Sequence, residues 1–341
     1  MTTYAESGVD ITKGDLSSEI AYSNAKKTFP SREGMIGQPL KDDEGGFTGA
    51  LDMGDFYIVQ NDDGIGTKME VAEMMKKFDT IGYDLVAMVA DDAACAGAEC
   101  ISVSNTIDAD KVKPDQIKIM MEGLSKACSE HKIVIPGGEI AELGSALNGY
   151  VWNATAIGVL EKTKRITGKE ITSSDVLIGL ASPGFRANGM SLVRHIMKEK
   201  FGPNWIHQEY EGEKYPGKTW GEVVLTPSLI YHSLIMSLHG RYHEEPKVTL
   251  KGVAHITGGG IYGNFSRILK RTNSKPDFKL PPPSEEMALM QKLGNVGDDE
   301  AYRTWNMGIG MILVVSKEDQ EKTLNLINKE GYEALAIGSI A

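Results

Sequence analysis

The segment Phe56-Tyr57-Ile58-Val59-Gln60-Asn61-Asp62-Asp63-Gly64-Ile65-Gly66-Thr67-Lys68 decides how this chain is read. Residues 56–59 are apolar and strand-like, and residues 69–78 read as a helix. Between them, two carboxylates, two glycines, a hydroxyl and a lysine are crowded into a single loop. Carboxylates hold hard cations such as Mg²⁺. Glycines let backbone N–H groups approach phosphate oxygens, and lysine neutralises them. The string is a candidate metal–nucleotide site, and it also fits an ordinary Asp-Gly turn.

Working outward, the N-terminal ~25 residues read as an arm or a loop followed by a short helix. Residues 31–50 look like loop. Beyond the opening motif come a helical stretch at 83–96, a strand at 101–104, a helix at 114–131, a short strand at 133–135 and an alternating strand at 151–160. Residues 161–175 are charged and turn-rich and make the best boundary, giving expected domains of 1–168 and 169–341. The pattern then restarts with a strand at 176–181, a loop at 182–189 and a helix at 190–201. Residues 203–222 read as an insertion, 226–238 as a helix, 248–256 as a strand, 317–328 as a helix, and 305–315 and 334–340 as late strands. Both halves mix strands and helices, so the expected class is α/β (α+β).

Composition narrows the function. The chain has 341 residues, 41% of them hydrophobic, and a net charge of −11. An acidic balance argues against nucleic-acid or anionic-membrane partners. Cys95, Cys100 and Cys128 have no metal-ligand spacing, and their odd number fits a reducing cytoplasm. No stretch is apolar for long enough to span a bilayer.

Further candidate chemistry sits at junctions where small or charged residues follow apolar runs. Asp91-Asp92 ends such a run; adjacent acids there are costly unless solvated or bound to a cation. Gly137-Gly138-Glu139 follows another, and Glu139 is a candidate to complete a cation site with Asp63, Asp91 and Asp92. The alternative is a glycine turn with a solvated glutamate. The 182–189 loop leads into a helix whose free N–H groups suit an anion; Arg186 adds positive charge there, and Asn188 either binds ligand or caps the helix. His255 precedes Thr257-Gly258-Gly259-Gly260. Imidazole titrates near neutrality, so His255 is a candidate to move a proton or bind phosphate. The glycines around Trp305 to Met311 suggest close packing rather than chemistry.

Taken in order, Tyr4 to Asp10 (YAESGVD), Asp63 to Lys68 (DGIGTK), Asp79 to Met88 (DTIGYDLVAM), Gly137 to Glu142 (GGEIAE), Asn188 to Arg194 (NGMSLVR), His255 to Gly260 (HITGGG) and Tyr302 to Met311 (YRTWNMGIGM) resemble the phosphoribosylformylglycinamidine cyclo-ligase, or AIR synthetase, family. The DGxGTK string and the GGE turn are shared with a wider superfamily of ATP-using enzymes that includes thiamine-monophosphate kinase. The likeness covers almost the whole chain. Departures from the family pattern fall at Asp62, Asp91, Asn105, Ile140, Leu143-Gly144 and Arg186, the last standing where a histidine is usual.

The resemblance implies a two-domain AIR synthetase-like fold. Its N-terminal domain would be ferredoxin-like and close a β-barrel across a homodimer, and its C-terminal domain would be α/β. It implies ATP-dependent ring closure of formylglycinamidine ribonucleotide in the cytoplasm, with Mg²⁺. By that resemblance Asp63, Asp91, Asp92 and Glu139 hold the metal. Lys27, Asp63, Gly64, Gly66, Thr67 and Lys68 contact ATP and its phosphates. Arg186, Asn188, Gly189, Thr257, Gly258, Gly259 and Gly260 bind a sugar-phosphate amidine. His255, Asp92 and Lys68 are the expected catalytic groups. A small-molecule kinase of the same superfamily and a non-catalytic nucleotide-binding paralogue are the rival readings.

Overall fold

The computed structural model describes residues 2–8, 11–41 and 46–341. Val9 and Asp10, the end of the YAESGVD opening, lie outside the described residues, as do 42–45 of the expected loop and Met1 of the expected first domain. A helix, α1 (Ile11–Ala25), follows the opening.

The first sheet contains β1 (Gln38–Pro39), β2 (Gly49–Asp52), β3 (Phe56–Gly64), β4 (Glu99–Ala109), β5 (Gly138–Glu142) and β6 (Tyr150–Glu161). Their order is β1-β2-β3-β6-β4-β5, antiparallel except for β4 with β5. The helices α2 (Lys68–Met75), α3 (Ile81–Cys95) and α4 (Pro114–Glu130) belong to this half. From β3 onward the chain runs strand, two helices, strand, helix, strand, strand. The βαββαβ order of a ferredoxin-like unit is therefore not what this half contains. Alternation gives the sheet two unlike faces. Along β6, Tyr150, Trp152, Ala154, Ala156, Gly158 and Leu160 are buried under helices, while Val151, Asn153 and Ile157 are open.

The second sheet contains β7 (Val176–Ala181), β8 (Gly252–His255), β9 (Pro276–Phe278), β10 (Ile309–Val315) and β11 (Ala334–Ile340), ordered β8-β10-β7-β11-β9 and antiparallel throughout. Its helices are α5 (Met190–Phe201), α6 (Trp220–Val224), α7 (His232–His239), α8 (Gly260–Leu269), α9 (Glu285–Gly294), α10 (Asp298–Thr304) and α11 (Gln320–Lys329). Every residue of β10 is buried, as an apolar run covered on both faces requires.

Helix α3 joins the halves. It touches β3, β6 and α4 on one side and α7 and β8 on the other. Apolar nearly all round, it suits burial between two layers. Only Tyr83 and Asp92 along it escape full burial.

Several segments differ from the sequence reading. The expected strand at 133–135 supplies only a bridge from Val134 to Ser102, and pairing instead begins at Gly138, in β5. The expected helix at 226–238 starts at His232, because Tyr231 and His232 give their N–H groups to Asp91. The expected loop at 31–50 includes β1 and the start of β2. All three cysteines are free and buried. Among the described residues no helix is long and apolar enough to cross a membrane.

Candidate active site

Helix α3 is the spine of the site. Asp84, Met88, Asp91 and Asp92 are spaced i, i+4, i+7 and i+8, which puts them along one stripe. Each takes a partner from outside the helix. Asp84 Oδ1 accepts from Lys68 Nζ at 2.8 Å and from the Ser228 hydroxyl at 2.5 Å. Met88 Sδ receives the Asn188 amide at 3.7 Å. Asp91 Oδ2 pairs with Arg186 Nη2 at 2.8 Å. Asp92 Oδ1 lies 2.7 Å from His255 Nδ1.

Two expected ligand-binding cations are consumed by this network. Lys68 is fully buried, and its ammonium also donates to the Thr226 carbonyl at 2.8 Å. Burial holds its pKa below the usual lysine value. Arg186 is equally buried: it donates to the Leu229 carbonyl at 2.8 Å, and its guanidinium lies 5.0 Å from the centre of the Tyr231 ring. In this structure neither presents its charge to an open cleft, because a charge in the core must be paired to be tolerated. Asp91 is likewise committed, since its other oxygen accepts the Tyr231 and His232 N–H groups at 2.8 Å, at the start of α7.

Asp63 and Asp92 are different. Each retains some exposure. Burial, and after it the neighbouring Asp92 charge, push Asp63 up to about 6. Burial pushes Asp92 up to about 7. A nearby carboxylate charge raises a carboxyl's proton affinity, and the Asp92 charge does this to Asp63. Glu139 does not join them. The β3-β6-β4-β5 register aligns Asp63 with Ala154, Asn105 and Gly138, on the helix-covered face. Glu139 is in the next row, with Gly64, Asn153 and Thr106, and so points to the open face. Three strand spacings, about 14 Å, separate the two positions. Among the described residues no three His, Cys, Asp or Glu side chains converge as a metal site. Of the four expected acids, Asp63 and Asp92 keep some exposure, Asp91 is paired with Arg186, and Glu139 lies on the other face of the sheet.

The glycine loops do converge. The starts of α2, α5 and α8 follow Gly66-Thr67, Gly189 and Gly259, and none has a side-chain cap. The Thr67 and Ser191 hydroxyls are 3.2 Å apart, and the Gly258 N–H donates to Asn188 Oδ1 at 3.1 Å. Glu70 and Arg194 form an ion pair across the same seam. Three helix N-termini without side-chain caps, brought together in this way, can receive an anion. Gly64 closes the β3 end by donating its N–H to Asp63 Oδ1 at 2.7 Å. Thr257 is held through its hydroxyl and carbonyl by Asn264. Lys27 stands exposed on the turn beyond α1 and donates to Asn24 at 2.8 Å.

Behind the loops lies the 302–311 segment. Trp305 Nε1 donates to the Gly189 carbonyl at 3.3 Å, and Asn306 Nδ2 donates to that of Gly184 at 3.2 Å. A Cβ on Gly260 (φ +65°) would come within 1.8 Å of the Tyr302 carbonyl oxygen, so only glycine fits there. The sequence reading missed Asp84, Ser228, Tyr231 and Glu286. A signal existed for Asp84, a single acid inside an apolar helical run. For Glu286, whose buried carboxylate takes the Gly184 N–H at 3.0 Å, there was none.

Residues 45–160 match the AIR synthase related protein N-terminal domain family, and residues 172–341 match its C-terminal domain family. The phosphoribosylformylglycinamidine cyclo-ligase of Pyrococcus furiosus is 38% identical over 344 residues, covering 100% of this chain and 96% of the relative. That of Methanocaldococcus jannaschii is 35% identical over 348 residues, covering 100% and 92%. Among solved structures, a HypE–HypF complex aligns at TM-score 0.60 with 17% identity over 85% of this chain and 86% of that one. The thiamine-monophosphate kinase of Stenotrophomonas maltophilia aligns at 0.60 with 14% identity over 86% of each. These two share the fold. The full-length relatedness is closer, and by it the chain belongs to the AIR synthase related family, among the phosphoribosylformylglycinamidine cyclo-ligases.

Proposed function

We propose that this chain closes the imidazole ring of formylglycinamidine ribonucleotide at the expense of ATP, giving aminoimidazole ribonucleotide, ADP and phosphate. The chemical obstacle is an amide-type oxygen that leaves poorly. Transfer of the γ-phosphoryl group to that oxygen gives an iminophosphate. The neighbouring nitrogen then attacks the carbon, the C–O bond breaks, and phosphate departs. Such a reaction asks the protein mainly to position two anionic ligands and to offset the charge on the moving group.

The observation that carries the reading is the meeting of three uncapped, glycine-led helix N-termini beside the Asp63–Asp92 pair. The N–H groups opening α2, α5 and α8 would hold phosphates, one set for ATP and the others for the ribose phosphate. A HypE solved in complex with ATP shares the fold, which agrees with an ATP site here. Asp63 and Asp92 would suit a divalent cation: burial raises the proton affinity of each carboxyl, and a bound cation would oppose that. Mg²⁺ held there would screen the phosphate charge, with phosphate and water completing its shell. Gly64 and Asn188 would fix the loops around the ligands.

The working form would be a cytoplasmic homodimer. The open face of the first sheet presents Ile58, Val151, Ile157 and Val159, an apolar surface that a two-fold partner would cover. The test is ADP release by the purified protein with ATP, Mg²⁺ and a panel of acceptors. Release that depends on formylglycinamidine ribonucleotide and yields the aminoimidazole is expected. Release driven instead by an acceptor that ends up phosphorylated would overturn the reading in favour of a kinase.

A further inference from the structure

We propose that His255 is a positioning residue, and that the group it orients, Asp92, is the one that meets ligand. A guanidinium only donates hydrogen bonds. Arg186 Nη2 lies 2.8 Å from His255 Nε2, so that nitrogen must offer its lone pair. The neutral ring then keeps its one proton on Nδ1, 2.7 Å from Asp92 Oδ1. Both ring nitrogens are spent inside the protein, and the ring is wholly buried. Nothing on His255 is left to give a proton to a substrate or take one. Asp92, the last member, keeps 15% of its side chain exposed.

The order of attachment supports the same role. The first N–H groups of α7 fix Asp91, and Asp91 fixes Arg186. Arg186 fixes His255, and His255 fixes Asp92. Each step is a hydrogen bond of 2.7–2.8 Å between groups that are buried or nearly so. Such a relay holds one carboxylate oxygen still while the group keeps part of its surface open. It supplies orientation, which is worth most when the oriented group touches the reacting phosphates.

The first experiment needs no turnover, so its outcome is independent of the cyclo-ligase reading on which the role in catalysis rests. Imidazole ¹⁵N-labelled full-length protein is examined through long-range couplings to the ring protons, with the His255 signals assigned by their loss in His255→Asn. A neutral ring protonated on Nδ1 is expected; protonation on Nε2 overturns the proposal. The second is kinetic. The amide of His255→Asn can place an N–H near the Nδ1 position, whereas His255→Ala cannot. Turnover of the Asn variant is expected within about 10-fold of the parent while the Ala variant falls by about 100-fold, the scale of losing one aligned group. Equal losses in the two variants, each folded by circular dichroism, would show that the ring itself moves the proton.

Discussion

Lys68 Nζ lies 2.8 Å from Asp84 Oδ1, and both side chains are sealed from solvent. A buried pair of this kind is destabilising to break, whatever its net worth when intact. Lys68→Met is expected to cost about 3–5 kcal/mol in urea unfolding, because Asp84 is left charged without a counter-ion. Adding Asp84→Asn should recover at least about 1 kcal/mol, since the neutral amide still accepts from Ser228 and needs no cation. A Lys68→Met protein of parental stability that no longer binds nucleotide would return Lys68 to the phosphates.

Asp63 and Asp92 should answer in the opposite sense. Each is held above the usual carboxylate range, Asp63 by burial and by Asp92, Asp92 by burial. Replacing Asp63 by Asn removes a repelling charge, so the metal-free melting temperature at pH 8 is expected to stay level or rise. The Mg²⁺ concentration for half-maximal ADP release should increase by about 10-fold or more, the scale seen when a metal site loses support. A lower melting temperature with unchanged Mg²⁺ dependence would remove this pair from metal binding.

The glycine triplet offers a contrast within three residues. A Cβ on Gly260 would strike the Tyr302 carbonyl at 1.8 Å from a left-handed backbone, whereas one on Gly258 meets nothing nearer than Asn188 Oδ1 at 3.8 Å. Gly260→Ala is expected to destabilise by about 2 kcal/mol or more. Gly258→Ala should remain within about 0.5 kcal/mol of the parent, as ordinary unstrained substitutions do. If the loop carries ligand, Gly258→Ala should nonetheless weaken it, which isothermal titration with the nucleotide or the ribonucleotide would show. Unchanged binding of both would take this loop out of the site.

The sequence made the loops legible because their information is local. An apolar strand, glycines and an amphipathic helix lie next to one another in the chain, and β7 and α5 fall where the pattern puts them. It could not say which cations are already neutralised. The partner of Lys68 is 16 residues away and that of Arg186 is 95 away. A short motif rich in lysine or arginine reads the same whether the charge faces a phosphate or a buried aspartate. Glu139 illustrates a second limit. Its face is set by the register of β5 against β4, and a shift of one residue would have turned it toward the helices. Residues 226–231 show a third, because their departure from helix depends on Asp91 of another element.

His232 gives the site's stability a pH signature. Its ring is fully buried, Nε2 accepts from the Cys100 N–H at 2.8 Å, and burial pushes its pKa down to about 3 from an ordinary 6.5. Between those values the unfolded chain binds a proton that the folded chain does not. Stability must therefore fall as pH drops from 6.5 toward 3, by about 1.4 kcal/mol per pH unit once well below 6.5. The raised carboxylates of Asp63 and Asp92 act with the reverse sign, because their folded forms take up protons first as pH drops from 7. The parent protein's own pH curve thus mixes both effects, and the difference from His232→Gln isolates one of them. Gln can still accept from Cys100 and has no charge to gain. The parent's stability minus that of His232→Gln, measured by urea unfolding in metal-free buffer, should decline by about 1.2 kcal/mol between pH 6 and pH 5 and keep declining at pH 4. A difference that stays flat over that range would mean His232 titrates as freely in the folded protein as in the unfolded chain, which its buried place beside α3 does not allow.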